Sequence, residues 1–205
     1  MTEYFNGLGY FNDDPSVGID RPISATVNYR SVEGYYNNAY YASPAGSSQS
    51  GTIVFGQGQL ADFTYDSSVI YHEYGHAVVD GTSKYVNFCL EDQHGSDCTQ
   101  GGLNEGTADY FASSLRGDPL VGDYAIGRMW PSYVRDLRDP NRCPDDLYGE
   151  VHEDGRIWGA GMWDVRTALA GDDTALAHSL VDPIILAAIS TPLPSDATGG
   201  SAFSY

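Results

Sequence analysis

"VIYHEYGHAVVD", residues 69–80, sets two histidines and a glutamate at the spacing H-E-x-x-H. On a helix with 3.6 residues per turn, His72 and His76 share one face, a turn apart. Two imidazoles so placed reach a single ion, each through one nitrogen at ~2.0–2.1 Å for zinc. Glu73 is one step round the helix. It is poorly placed as a ligand but can reach a water at the metal as a general base. The pattern predicts a helix over 67–80, capped by Asp66, Ser67 or Ser68 and ended by Gly81.

A catalytic zinc centre needs a third protein ligand and one open position. The pattern H-E-x-x-H-x-x-G-x-x-H is excluded, because Val79 and Thr82 stand where its glycine and last histidine would be. The alternative is a glutamate from a following helix. "NEGTADYF", residues 104–111, offers Glu105, 29 positions after His76, and Asp109 one turn later. A carboxylate at Asp109 can accept the second N–H of a ligating histidine and fix its tautomer.

The rest of the chain bounds what such a site serves. Its 205 residues suit one domain, residues 1–205, and 41% hydrophobic content supports a buried core. Asp plus Glu number 28 against 10 Lys plus Arg, a net charge of −18. That surface repels phosphate backbones, so no nucleic-acid partner is expected. No run of ~20 apolar residues is present, and no membrane association is expected. Cys89 and Cys98 flank "LEDQHGSD", a spacing that suits a disulfide and an oxidising compartment, while Cys143 has no obvious partner. No C-x-x-C pair supplies a cysteine zinc site.

The expected fold class is α+β. Residues 1–66 read as β and loop, with strand-like pieces in "ISATVNY" and "GTIVFGQGQ". Residues 67–205 read as helical, with a second helix from near Asn104 to Gly117 and further helical pieces at 124–138, 155–170 and 173–189. The H-E-x-x-H helix then lies between a β-rich and a helical lobe.

H-E-x-x-H followed by N-E-x-x-x-D resembles the glutamate-zincin metallopeptidases, and "HEYGH" with "HEDGRIWGAGMWDV" looks most like the fungalysin family, related to thermolysin. The resemblance spans residues 37–170. It implies a two-lobed zincin-like fold, with zinc held by His72, His76 and Glu105, and Asn104 and Asp109 behind the ligands. In "NNAYY", Asn38 would bind the substrate backbone through its side chain and Ala39 through its main chain, a peptide docking on a sheet edge. In "EVHEDGRIW", His152 would stabilise the oxyanion. In "RDLRDP", Arg135 would hold a carbonyl on the primed side, with Arg138 as a substitute. Glu73 would be the general base towards a zinc-bound water.

The sequence departs from thermolysin where a carboxylate one turn before H-E-x-x-H helps bind paired calcium ions. Ser68 stands there, and Arg116 lies near another acidic position, so calcium is expected elsewhere if at all. The position of thermolysin's assisting tyrosine falls near Asn87, with Tyr85 two residues away. The expected activity is zinc-dependent cleavage of internal peptide bonds by a secreted monomer acting on a peptide or protein, its signal and prodomain outside this chain. A peptide-binding pseudoenzyme is the alternative. An aminopeptidase lacks its G-x-M-E-N segment here, and a structural zinc site lacks a fourth ligand.

Overall fold

A computed structural model of the chain describes residues 1–9, 22–44, 51–93 and 95–190. The chain is α+β. After a short helix α1 (Thr2–Gly7) come strands β1 (Ser24–Ser31), β2 (Gly34–Tyr35), β3 (Ala39–Ala42) and β4 (Thr52–Gly56). They form one sheet in the order β2-β1-β4-β3. β1 and β4 run parallel and the other pairs antiparallel. β3 is therefore an edge strand. It alternates as a half-buried strand should, with Ala39 and Tyr41 buried and Tyr40 and Ala42 exposed. Helix α1 forms in a stretch that the sequence pattern predicts to be β and loop. It is six residues long, and it is held by Phe5, which is fully buried against Phe111 and Tyr74. Tertiary packing, not propensity, fixes so short a helix.

The H-E-x-x-H stretch forms α2 (Ser67–Gly81). Asp66 is its cap, and its carboxylate accepts the N–H groups of Ser68 and Val69. The other oxygen of Asp66 accepts the N–H groups of Tyr124 and Ala125, tying the start of α2 to a distant loop. A hairpin of β5 (Leu90–Asp92) and β6 (Gly95–Asp97) leads to α3 (Thr99–Arg116). The Cys89–Cys98 disulfide closes this hairpin, and Cys98 is the residue that caps α3. Among the described residues Cys143 is a free, exposed cysteine.

α3 begins five residues before the expected start. Gly101 and Gly102, which read as loop, lie inside it because α4 (Val151–Ala170) crosses there, with Val151 and Asp154 in the space where side chains would stand. The same close approach continues at Gly106 and Gly155. A Cβ on Gly106 would run into the Gly155 carbonyl oxygen, and one on Gly155 into the Cβ of Glu105. α2 packs as tightly through Gly75, whose Cβ would strike the Ala108 backbone. Small residues at both crossings bring α2, α3 and α4 within reach of one another around Glu105.

The helix expected at 124–138 does not form. Isolated turns run from Gly122 to Trp130, followed by a 3-10 turn Pro131–Tyr133 and strand β8 (Arg135–Asp136), which pairs with β7 (Leu120–Val121). Pro131 cannot donate to a continuing helix, and Tyr124 and Ala125 give their N–H groups to Asp66 instead. α4 starts at Val151, four residues before the expected start at 155, because Glu150 caps it. The last helical piece is broken into α5 (Thr174–Leu176), a π turn Ala177–Val181 and α6 (Asp182–Ser190). Asp182, fully buried, accepts from Tyr4, Tyr110 and Ser114, joining α6 to α1 and α3. Burial together with the Asp182 charge pushes the Tyr4 and Tyr110 hydroxyl pKa values up, so both remain donors.

Candidate metal centre

α2 and α3 lie side by side, and the faces they turn to each other carry the two histidines and Glu105. His72, His76 and Glu105 are 6%, 6% and 5% exposed. His72 Nε2 is 3.1 Å from His76 Nε2 and 3.2 Å from Glu105 Oε2, and His76 Nε2 is 3.6 Å from Glu105 Oε1. Ligand atoms held tetrahedrally at ~2.0–2.1 Å from one zinc stand about 3.3 Å from each other. The three side chains already have that spacing.

The second nitrogen of each ring decides which atom faces the centre. His76 Nδ1 is 2.7 Å from Asn104 Oδ1, and Asn104 is oriented by giving its own N–H to the Tyr85 carbonyl at 2.6 Å. An amide oxygen only accepts, so His76 carries its proton on Nδ1. His72 Nδ1 lies 2.7 Å from Asp109 Oδ1. Both Nε2 atoms then face each other and Glu105, whose buried Oε2 has no hydrogen-bond partner among the described residues. Three buried electron-rich atoms converge, an arrangement that a cation between them satisfies. Two imidazoles and a carboxylate suit zinc. Burial favours a neutral His72, but Asp109 and Glu105 outweigh it and raise its pKa to about 10. These are the charges that would hold a cation in the same place.

Asp109 is 1% exposed and grips Arg135 through Nε to Oδ2 at 2.6 Å and Nη2 to Oδ1 at 2.7 Å. Burial pushes its pKa up, but Arg135 and His72 prevail and bring it down to about 2. Arg135 thus stands behind His72 as well as on the wall of the cleft. Arg138, the substitute, pairs instead with Asp136 on the surface.

Glu73 is 5% exposed beside the triad, and its Oε2 has no hydrogen-bond partner among the described residues. Burial raises its pKa, an effect partly offset by His72 and His76. A carboxylate held so is a better base than one in water. His152 lies on the first turn of α4 rather than before the helix, as expected from the sequence. Its Nε2 is 3.6 Å from Glu105 Oε1. Its Nδ1 is 2.7 Å from Glu150 Oε1, while Glu150 Oε2 accepts the N–H groups of His152 and Glu153. The motif reading of the sequence does not single out Glu150. The signal was there, as an acidic residue two before a histidine at a helix start.

These groups line one cleft of about 240 Å³, with Asn38, Ala39, Tyr40, Asn87 and Arg135 on its walls and apolar Phe63, Val69, Val121 and Ile126 between them. Asn38 Oδ1 accepts the N–H of Ala39 at 2.9 Å, so that main-chain donor is engaged. His94 lies outside the described residues. His178 is remote from the cleft, with Nε2 3.1 Å from the Ser114 carbonyl. At the positions of the thermolysin calcium pair, Ser68 is buried between Asp66 and the Gly122 N–H, and Arg116 pairs with Asp118 and Asp123.

Comparison with known proteins agrees with this chemistry at a coarse level. The chain is 29% identical over 150 residues to an extracellular metalloproteinase of Pyrenophora tritici-repentis (strain Pt-1C-BFP). The match takes in 63% of this chain and 22% of that protein's length. No protein-family model matches the chain. The likeness supports a relationship to metalloproteases, and the buried His-His-Glu group is one that could hold a metal ion.

Proposed function

We propose that the chain is a zinc-dependent endopeptidase of the glutamate-zincin kind, nearest the fungalysins, acting as a secreted monomer on peptide or protein substrates. The observation that carries the reading is the convergence of His72 Nε2, His76 Nε2 and Glu105 Oε2, their proton-bearing nitrogens turned outward, next to a buried and unpartnered Glu73 oxygen. An ion held there would supply the positive charge that acidifies a water and polarises a carbonyl. Glu73 takes the proton of the attacking water and passes it to the leaving amine. His152, turned towards Glu105 with Nδ1 on Glu150, donates from Nε2 to the oxyanion. Arg135 has one guanidinium nitrogen outside its Asp109 pair, which serves a substrate carbonyl across the cleft. The edge strand β3 receives the extended peptide.

The disulfide supports an oxidising compartment, and the relative's printed description is extracellular. The test is quenched-peptide hydrolysis by the wild type and by Glu73→Gln, with metal content measured on both. Activity in the wild type, its loss in the variant, and equal metal in the two is the expected result. Near-normal activity of Glu73→Gln with metal present overturns the mechanism. A metal-loaded but inert wild type would instead make the chain a peptide-binding pseudoenzyme.

A further inference from the structure

We propose that the hollow beside the cleft, lined by Trp130, Glu150 and Glu153, takes the Lys or Arg side chain of a bound peptide. The inference rests on the peptidase reading and deepens it by naming the substrate class: peptides with a basic residue close to the scissile bond.

The hollow has a volume of about 570 Å³ and shares Asn38, Phe63, Ile126, Arg135 and His152 with the cleft. The two are therefore one continuous space. Trp130, Glu150 and Glu153 line the hollow but not the cleft. A side chain that leaves the cleft passes apolar Phe63 and Ile126 and meets the indole and the carboxylates beyond them. That order suits a long cationic side chain, whose methylene stem packs on apolar surface while its charged head stays in a polar setting. Trp130 is exposed, so its ring is open to a cation. The start of α4 fixes both carboxylates, with Glu150 as the helix cap and Glu153 in the first turn.

Charge selects the occupant. Among the described residues, Asp109, Asp139, Glu150 and Glu153 share two guanidinium groups. Arg135 is taken up by both oxygens of Asp109. Arg156 divides itself between Asp139 at 2.7 Å and Glu153 Oε2 at 3.1 Å. Glu150 has His152 and the N–H groups of the helix start. A protonated His152 adds a third cation and the α4 N-terminus a partial positive charge, and the carboxylates still stay in excess. An apolar side chain there would strip water from the carboxylates with no compensating bond. An acidic one would be repelled. A Lys or Arg avoids both costs, and the net charge of −18 draws cationic peptides towards the molecule.

The test compares peptides that carry Lys or its uncharged isostere norleucine at each of the three positions on either side of the cleaved bond. Wild type is expected to favour Lys at one position by about 3- to 10-fold in kcat/KM at low salt, the size of one exposed ion pair with an aromatic contact. The preference should shrink as salt is raised. Glu153→Gln should lower the ratio at that position, and Glu153→Arg should turn it into a preference for Glu. Trp130→Leu, which keeps apolar contact but loses the π face, should lower it too. Asp172→Asn removes the same charge just past the other end of α4 and should leave the ratio as it is. No Lys preference at any position, or an equal ratio in wild type and Glu153→Gln with folding verified by circular dichroism, overturns the proposal. An equal fall in Glu153→Gln and Asp172→Asn also overturns it, because overall charge then accounts for the preference. Should wild type cleave none of the peptides, the peptidase reading fails by itself. The hollow is then judged by calorimetric binding of the same Lys and norleucine peptides to the wild-type chain, where equal affinities overturn it.

Discussion

Asp109 joins Arg135 to His72. The guanidinium takes both carboxylate oxygens, at 2.6 and 2.7 Å, while Oδ1 also stands 2.7 Å from His72 Nδ1. One buried carboxylate therefore touches both a proposed ligand and a proposed substrate-binding residue. Asp109→Asn keeps the shape but removes the charge. It should weaken metal affinity about 10- to 100-fold, read by chelator competition. Unchanged affinity would detach Asp109 from the metal centre.

The Asp109–Arg135 pair is also structural. Removing one partner of a buried ion pair strands the other charge and costs on the order of 3–5 kcal/mol. Arg135→Ala should therefore lower the denaturation midpoint markedly as well as raise KM. A KM effect with no change in stability would mean the pair is solvated in solution.

Removing the metal should abolish hydrolysis, and zinc should restore it. Because the three ligand atoms are buried against one another, the apo protein should also unfold at a lower temperature than the zinc-loaded form. Scanning calorimetry with and without zinc measures this. Coincident transitions would contradict a bound ion at His72, His76 and Glu105.

How much of this was legible depends on whether a feature is local. The α2 helix, its Asp66 cap and the spacing of His72, Glu73 and His76 follow from periodicity and capping within fifteen residues. Glu105 and Asp109 were legible because they sit one helical turn apart. What lay hidden depends on crossings. Gly101 and Gly102 look like loop until α4 is laid over them, and the close approach of Gly155 to Glu105, Gly102 and Gly106 explains a glycine in the first turns of α4. Residues 124–138 are apolar enough for a helix, but the competing acceptor, Asp66, is some sixty residues away in sequence. α1 is too short to announce itself and exists through the burial of Phe5.

Glu150 acts on His152 in a way that a mutant series can separate from its role as helix cap. Serine also caps helices well but is too short to reach Nδ1. Glu150→Ser should keep the thermal stability of α4 near that of the wild type while lowering kcat about 10-fold or more, with KM little changed, because His152 loses its orientation. The pH dependence of stability distinguishes the two roles further. The bonds from His152 and Glu153 outweigh partial burial and hold the Glu150 pKa below its ordinary 4.5. A depressed carboxylate pKa contributes stability that is present above 4.5 and lost as pH falls through the lowered folded-state value. Since the Glu150 side chain is half exposed, the effect should be small. Wild type should nonetheless lose more stability than Glu150→Ser as pH is lowered from 4.5, because the serine cap does not titrate. Parallel acid-denaturation curves for the two proteins would mean that Glu150 makes neither contact in solution.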